Sequence, residues 1–175
     1  TKSSLAIHTS VLWQSIFQEE FAAAFFSLNL EAVRSLAASN PALVNGLYLP
    51  PGERDRTTPL HWAARRNDIY TVACLLGKSA HSRVQTPRKP LTKLARSWST
   101  ELGADATLAD PQSGQLPLHV TTSARVARAL VSAFPEGADA QDHRGETPLH
   151  VAARRGLGDV VKVLASRAKD VSNGD

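Results

Sequence analysis

Only one of the 175 residues is cysteine, Cys74, and none is methionine. A lone cysteine excludes an intrachain disulfide, so the fold must be held by packing alone, and it points to a reducing compartment. Cys74 sits in the apolar run Tyr70-Thr71-Val72-Ala73-Cys74-Leu75-Leu76, where a small core residue is expected rather than a reactive thiol. Long apolar runs are also lacking. The most apolar stretch, Leu5 to Leu30, is broken by His8, Gln14, Gln18, Glu19, Glu20 and Asn29, and fits neither a spanning helix nor a secretory core. The expected setting is therefore cytoplasmic or nuclear. With no methionine and threonine at position 1, the chain is expected to be a piece of a longer protein.

The motifs of common chemistries are missing too. There is no Gly-rich phosphate loop, no Gly-x-Ser-x-Gly elbow and no His-Glu-x-x-His helix, so no enzymatic activity and no cofactor are expected. Glu19 and Glu20 are adjacent, and adjacent helical side chains point apart rather than sharing a site. His8, His81 and His143 show no ligand spacing with Cys, Asp or Glu, so no metal is expected. Nor does charge of one sign dominate. Twenty Lys and Arg against 16 Asp and Glu leave a net +4, a mild basic balance that permits an acidic partner without requiring nucleic acid. At 42% hydrophobic and 21% charged the chain is globular in composition, and its length suffices to bury roughly 70% of the surface that the unfolded form exposes.

What the chain does have is internal repetition. Thr58-Pro59-Leu60-His61-Trp62-Ala63-Ala64-Arg65-Arg66 returns as Thr147-Pro148-Leu149-His150-Val151-Ala152-Ala153-Arg154-Arg155. Leu116-Pro117-Leu118-His119-Val120 is a third copy, and Lys89-Pro90-Leu91-Thr92-Lys93-Leu94-Ala95-Arg96 a worn fourth. Their prolines are spaced by 31, 27 and 31 residues. Thr-Pro is an N-cap followed by a residue with preset φ and no amide proton to waste, so each phrase opens a helix. A second helix follows, with apolar stripes at Ile69, Val72, Leu75 and Leu76 and at Val160, Val161, Val163 and Leu164. Gly103-Ala104-Asp105, Gly137-Ala138-Asp139 and the turn Asp142-His143-Arg144-Gly145 punctuate the units.

These phrases resemble the ankyrin repeat family over about Asn29 to Lys169, and the resemblance implies an all-α solenoid of helix-turn-helix units with projecting β-turns. About four to five repeats are expected, the middle one degenerate. A single domain over 1–175 divides into an N-terminal helix and degenerate first repeat (5–56), a repeat (57–86), a degenerate repeat or insertion (87–113), a repeat (114–144) and a C-terminal repeat (145–170). The first repeat places Phe17, Phe21, Ala24 and Phe25 on one helix. Only 13 residues separate Pro90 from Gly103, too few for two full helices, so 77–102 also reads as an inserted segment. Thr121-Thr122-Ser123 replaces the usual polar turn, and irregular geometry is expected there.

The resemblance further implies a protein-binding module, an adaptor or scaffold, that uses the concave face of the first helices and the turn tips. Concave positions are Arg65 and Arg66, Arg96 and Ser97, Ser123 and Ala124, and Arg154 and Arg155; the tips add Arg54, Arg88, Gln115, His143 and Arg144. Trp62 is either a groove anchor or packing against the turn around Tyr48, and Trp98 beside Arg96 is a candidate hot spot. The expected partner is another protein with an acidic or extended segment, met by arginine forks. A phosphate-bearing ligand, nucleic acid or phosphoinositide, on the same basic groove is the alternative, and the chain is expected to be a monomer. His61, His119 and His150 recur at the structural period, and the resemblance gives them the task of tying adjacent units.

Overall fold

The computed structural model describes residues 16–77 and 102–172. The chain divides into two compact parts, Thr1–Pro59 and Leu60–Asp175. Among the described residues the structure is helical, with a single isolated β-bridge and no strand.

In the first part, α1 (residues 16–26) ends in a turn where Leu28 takes a left-handed φ of 59°. Asn29 then caps α2 (Leu30–Ser39) by accepting the Ala32 amide at 3.3 Å. Asn40 ends α2 and starts a 3-10 turn, Pro41–Asn45, its side chain accepting the Ala42 N–H. Phe21, Ala24 and Phe25 are buried, whereas Phe17 is 36% exposed at the edge of the same helix. The Phe21 ring stacks between Phe25 and Tyr48, with centroids at 6.2 and 5.3 Å. Tyr48 is anchored twice. Its hydroxyl donates to the Leu43 carbonyl at 2.6 Å, and its backbone pairs with Thr57 in the β-bridge, closing the loop that carries Arg54. Burial pushes the phenol pKa up to about 12.

The second part stacks three units. α3 (Pro59–Arg65) and α4 (Ile69–Leu76) make the first. α5 (Pro117–Val120) and α6 (Ala124–Ala133), with a 3-10 turn at Pro135–Ala138, make the next, and α7 (Pro148–Arg154) with α8 (Gly158–Ser172) the last. Asp68 caps α4 through the Tyr70 and Thr71 amides, each at 3.1 Å. Of the stripes foreseen in the sequence, Val72, Leu75, Val160, Val163 and Leu164 are buried, together with Leu60, Ala63 and Ala64, whereas Ile69, Leu76 and Val161 are half-buried. Cys74 is buried, and desolvation followed by the nearby Asp68 charge raises its thiol pKa to about 12, which makes it an inert core residue.

Irregular geometry does occur at α5. It spans four residues where α3 and α7 span seven, because Thr121 and Ser123 turn extended. The Thr121 hydroxyl accepts the Ser123 amide, a local bond that competes with helix continuation. Asn67, left-handed at φ 57°, fills the shortened end: its amide side chain donates to Thr122 Oγ1 at 2.6 Å and accepts the Thr122 N–H at 3.2 Å.

The units opening at Pro59 and Pro117 are direct neighbours. α4 packs on α6, the Ala104 amide donates to the Leu75 carbonyl at 2.7 Å, and His61 reaches the Gln115 carbonyl at 2.8 Å. The worn repeat phrase around Pro90 lies outside the described residues.

Truncating Leu75 tests this shared core. Leu75→Ala is expected to cost about 2–5 kcal/mol in urea unfolding, while the same change at exposed Leu49, 54% accessible, costs less than about 1 kcal/mol.

Candidate partner-binding surface

The inner helices end in arginine for a local reason: a cation in the last turn sits beside the orphan carbonyls and the negative end of the helix dipole. Arg65 closes α3 and Arg154 closes α7, with Arg66 and Arg155 following, and all four are exposed. The shortened α5 contributes no arginine between them and presents Thr122 and Ser123 instead.

These arginines are held differently. The Arg66 guanidinium lies 4.9 Å above the Trp62 ring centroid, a cation–π contact. Arg154 donates to Glu146 at 2.7 Å, an ion pair whose side chains are 51% and 25% exposed. Arg155 is the C-cap of α7. Trp62 itself is only 8% exposed, so it is packing that supports Arg66 rather than a protruding anchor.

The turns beside the helices are built by carboxylates. Asp142 accepts the Arg144 and Glu146 amides at 2.9 and 3.0 Å and the Gln115 side-chain amide at 3.0 Å. Those bonds, the one from Gln115 foremost, hold its pKa at about 2. Gln115 is thereby a strut between two turns. His143 joins the same two turns, its backbone amide donating to the Ser113 carbonyl at 3.0 Å and its Nδ1 lying 3.2 Å from the Gln112 carbonyl. The ring packs on Gly114, at φ +69°, where a Cβ would come within 2.4 Å of it. Arg144 stands exposed at the tip of the second turn.

Arg65, Arg66, Gln115, His143, Arg144, Arg154 and Arg155 thus share the second compact part, whereas Arg54 is exposed in the first. Arg88, Arg96 and Trp98 lie outside the described residues. Sequence reasoning missed the pairing of Glu146 with Arg154 and the Asn67–Thr122 clamp. The signal for the first was a carboxylate two residues before a helix-opening proline, and for the second an asparagine at a turn position.

The histidines show what joins the units. His119 Nδ1 accepts the Leu116 N–H at 3.1 Å, which leaves the proton on Nε2, and Nε2 donates to the Glu146 carbonyl at 3.1 Å. His61 Nε2 makes the same bond to Gln115. Both rings are 1% exposed, and desolvation lowers both pKa values below the usual 6.5 despite the opposing pull of the carbonyls they face.

With these joints in place, the sequence model of ankyrin repeats, three copies, matches residues 21–175. The chain belongs to the ankyrin repeat family. Ankyrin repeats are protein–protein interaction modules. No curated protein matches the chain. Among the described residues of this ankyrin array, no helix is long and apolar enough to cross a membrane, and no three His, Cys, Asp or Glu side chains are grouped to hold a metal ion.

Because the buried imidazoles of the array are neutral, the unfolded chain takes up protons before the folded one as pH falls through about 6.5, and stability drops. Asp142 works in the same direction at lower pH: its contribution is present above about 4 and is lost as pH falls toward about 2. The thermal midpoint is expected to fall between about pH 7 and 5. Calorimetry of His119→Gln, which keeps a donor without a titrating ring, is expected to show a shallower fall.

Proposed function

We propose that this ankyrin array is a non-catalytic adaptor or recognition module that binds an acidic or extended segment of a partner protein. The observation that carries the reading is the pair of Arg-Arg ends on α3 and α7, exposed in two copies of one phrase. An arginine fork binds a carboxylate bidentately, and the stacking of Arg66 on Trp62 lowers the entropy lost when that fork is used. Arg54, Arg144 and His143 extend the surface from the turns, and Arg88, Arg96 and Trp98 are assigned to it on sequence grounds alone. Trp62 acts by holding Arg66, and Gln115 by bracing its turn against Asp142. The same cations suit a phosphate-bearing ligand, nucleic acid or phosphoinositide, as the alternative. The buried, reduced Cys74 supports a cytoplasmic or nuclear setting, and we take the chain as a monomer.

The array takes the repeat boundaries that the sequence draws, and 77–102 is an inserted segment in this reading, supported by the direct meeting of the units on either side.

The test is fluorescence anisotropy with a labelled Glu/Asp-rich peptide and, separately, a labelled single-stranded oligonucleotide. The peptide is expected to bind. Arg65→Glu/Arg66→Glu is expected to weaken it at least about tenfold with circular dichroism unchanged, as loss of one or two charge-assisted bonds requires. Preference for the oligonucleotide, with a steep salt dependence, would instead establish the phosphate reading.

A further inference from the structure

The last unit repeats the first, 89 residues on, with the same residues at four positions, Leu60 and Leu149, His61 and His150, Ala64 and Ala153, Val72 and Val161, of which His61 bonds the following unit. In the first unit all four are at most 1% exposed. In the last, His150 and Ala153 are exposed and Leu149 and Val161 half-exposed. A unit that ends a stack normally carries a polar outer face. This one keeps the small and apolar residues of an interior joint.

His150 is also set for a joint. Its Nδ1 accepts the Thr147 N–H at 3.2 Å and lies 2.9 Å from the Thr147 hydroxyl, so the proton sits on Nε2, as in His119. Nε2 of His61 and of His119 each meets a carbonyl two residues before the next unit's proline. Among the described residues, Nε2 of His150 meets none.

We propose that this face, formed by α7 and α8, receives a further ankyrin-type unit whose turn brings a main-chain carbonyl to His150 Nε2 and whose helices cover Ala153 and Val161. The joints already present in the chain define that occupant, since the proposed one continues them residue for residue. In a second copy of this chain the Gln115 carbonyl already takes the Asp110 amide and His61, and the Glu146 carbonyl the Asp142 amide and His119, so only its Thr57 carbonyl, which takes the Tyr48 amide alone, could serve; the experiment separates that case. The inference stands apart from the arginine surface.

The experiment extends the full chain through a flexible Gly/Ser linker with a second copy of its residues 102–138, the unit that offers the Gln115 carbonyl to His61. Urea unfolding is measured for the native and extended chains, each with and without His150→Ala. In the native chain the substitution is expected to change the folding constant less than about twofold; in the extended chain it is expected to lower it about five- to tenfold. Ala153→Glu, which buries a charge only if the face is covered, is expected to repeat the contrast. Equal effects of both substitutions in the two chains would overturn the proposal. So would sedimentation of the native chain as a dimer that Ala153→Glu dissociates, because the occupant would then be a second copy.

Discussion

The hydrogen bond from a buried histidine Nε2 to the carbonyl of the next unit's turn is the constraint on which the array depends. It needs a ring fixed at Nδ1 by the helix-opening amide, as in His119, and a carbonyl delivered by a rigid turn. The turn is rigid because Asp142 gathers two of its backbone amides and the Gln115 side chain. Glu146, which supplies the carbonyl, also carries the carboxylate that meets Arg154. One residue therefore serves both the joint and the ion pair.

The arginines follow a structural habit. A cation is favoured at a helix C-terminus whatever the helix does next. Repetition of the phrase then repeats the exposed cations at the ends of α3 and α7. What differs between the copies is the residue beneath: Trp62 lies under Arg66, whereas Val151 takes its place before Arg155. An ion pair at an exposed site contributes at most about 1 kcal/mol, so Glu146 restrains Arg154 without removing it from use.

The repeat phrase made the family and helix order legible, because Thr-Pro caps, the 3.6-residue stripes and the buried histidines are local chemistry that sequence displays directly. The shortening of α5 was signalled by Thr121-Thr122-Ser123, hydroxyl residues that bond their own backbone. Less legible was anything set by contact across units. Asn67 reads as a turn residue, yet it meets Thr122, 55 positions away, and no pattern within either segment announces the pair. Trp62 was ambiguous for the same reason, since an aromatic after the histidine serves either face until its neighbours are known. The direct meeting of the units at Pro59 and Pro117 is a further long-range fact: the worn phrase at Pro90 sits near the repeat period and conceals it.

The bond from the Ala104 amide to the Leu75 carbonyl has a consequence for the cost of chain length between its two ends. It brings residues 75 and 104 together beside the packing of α4 on α6. Closing a loop whose ends are pinned grows costlier only with the logarithm of its length, about 0.6 kcal/mol for each doubling. By that scaling, added chain length between two pinned positions disturbs the packing of α4 on α6 little, whereas an equal change inside a helix pair would displace a joint.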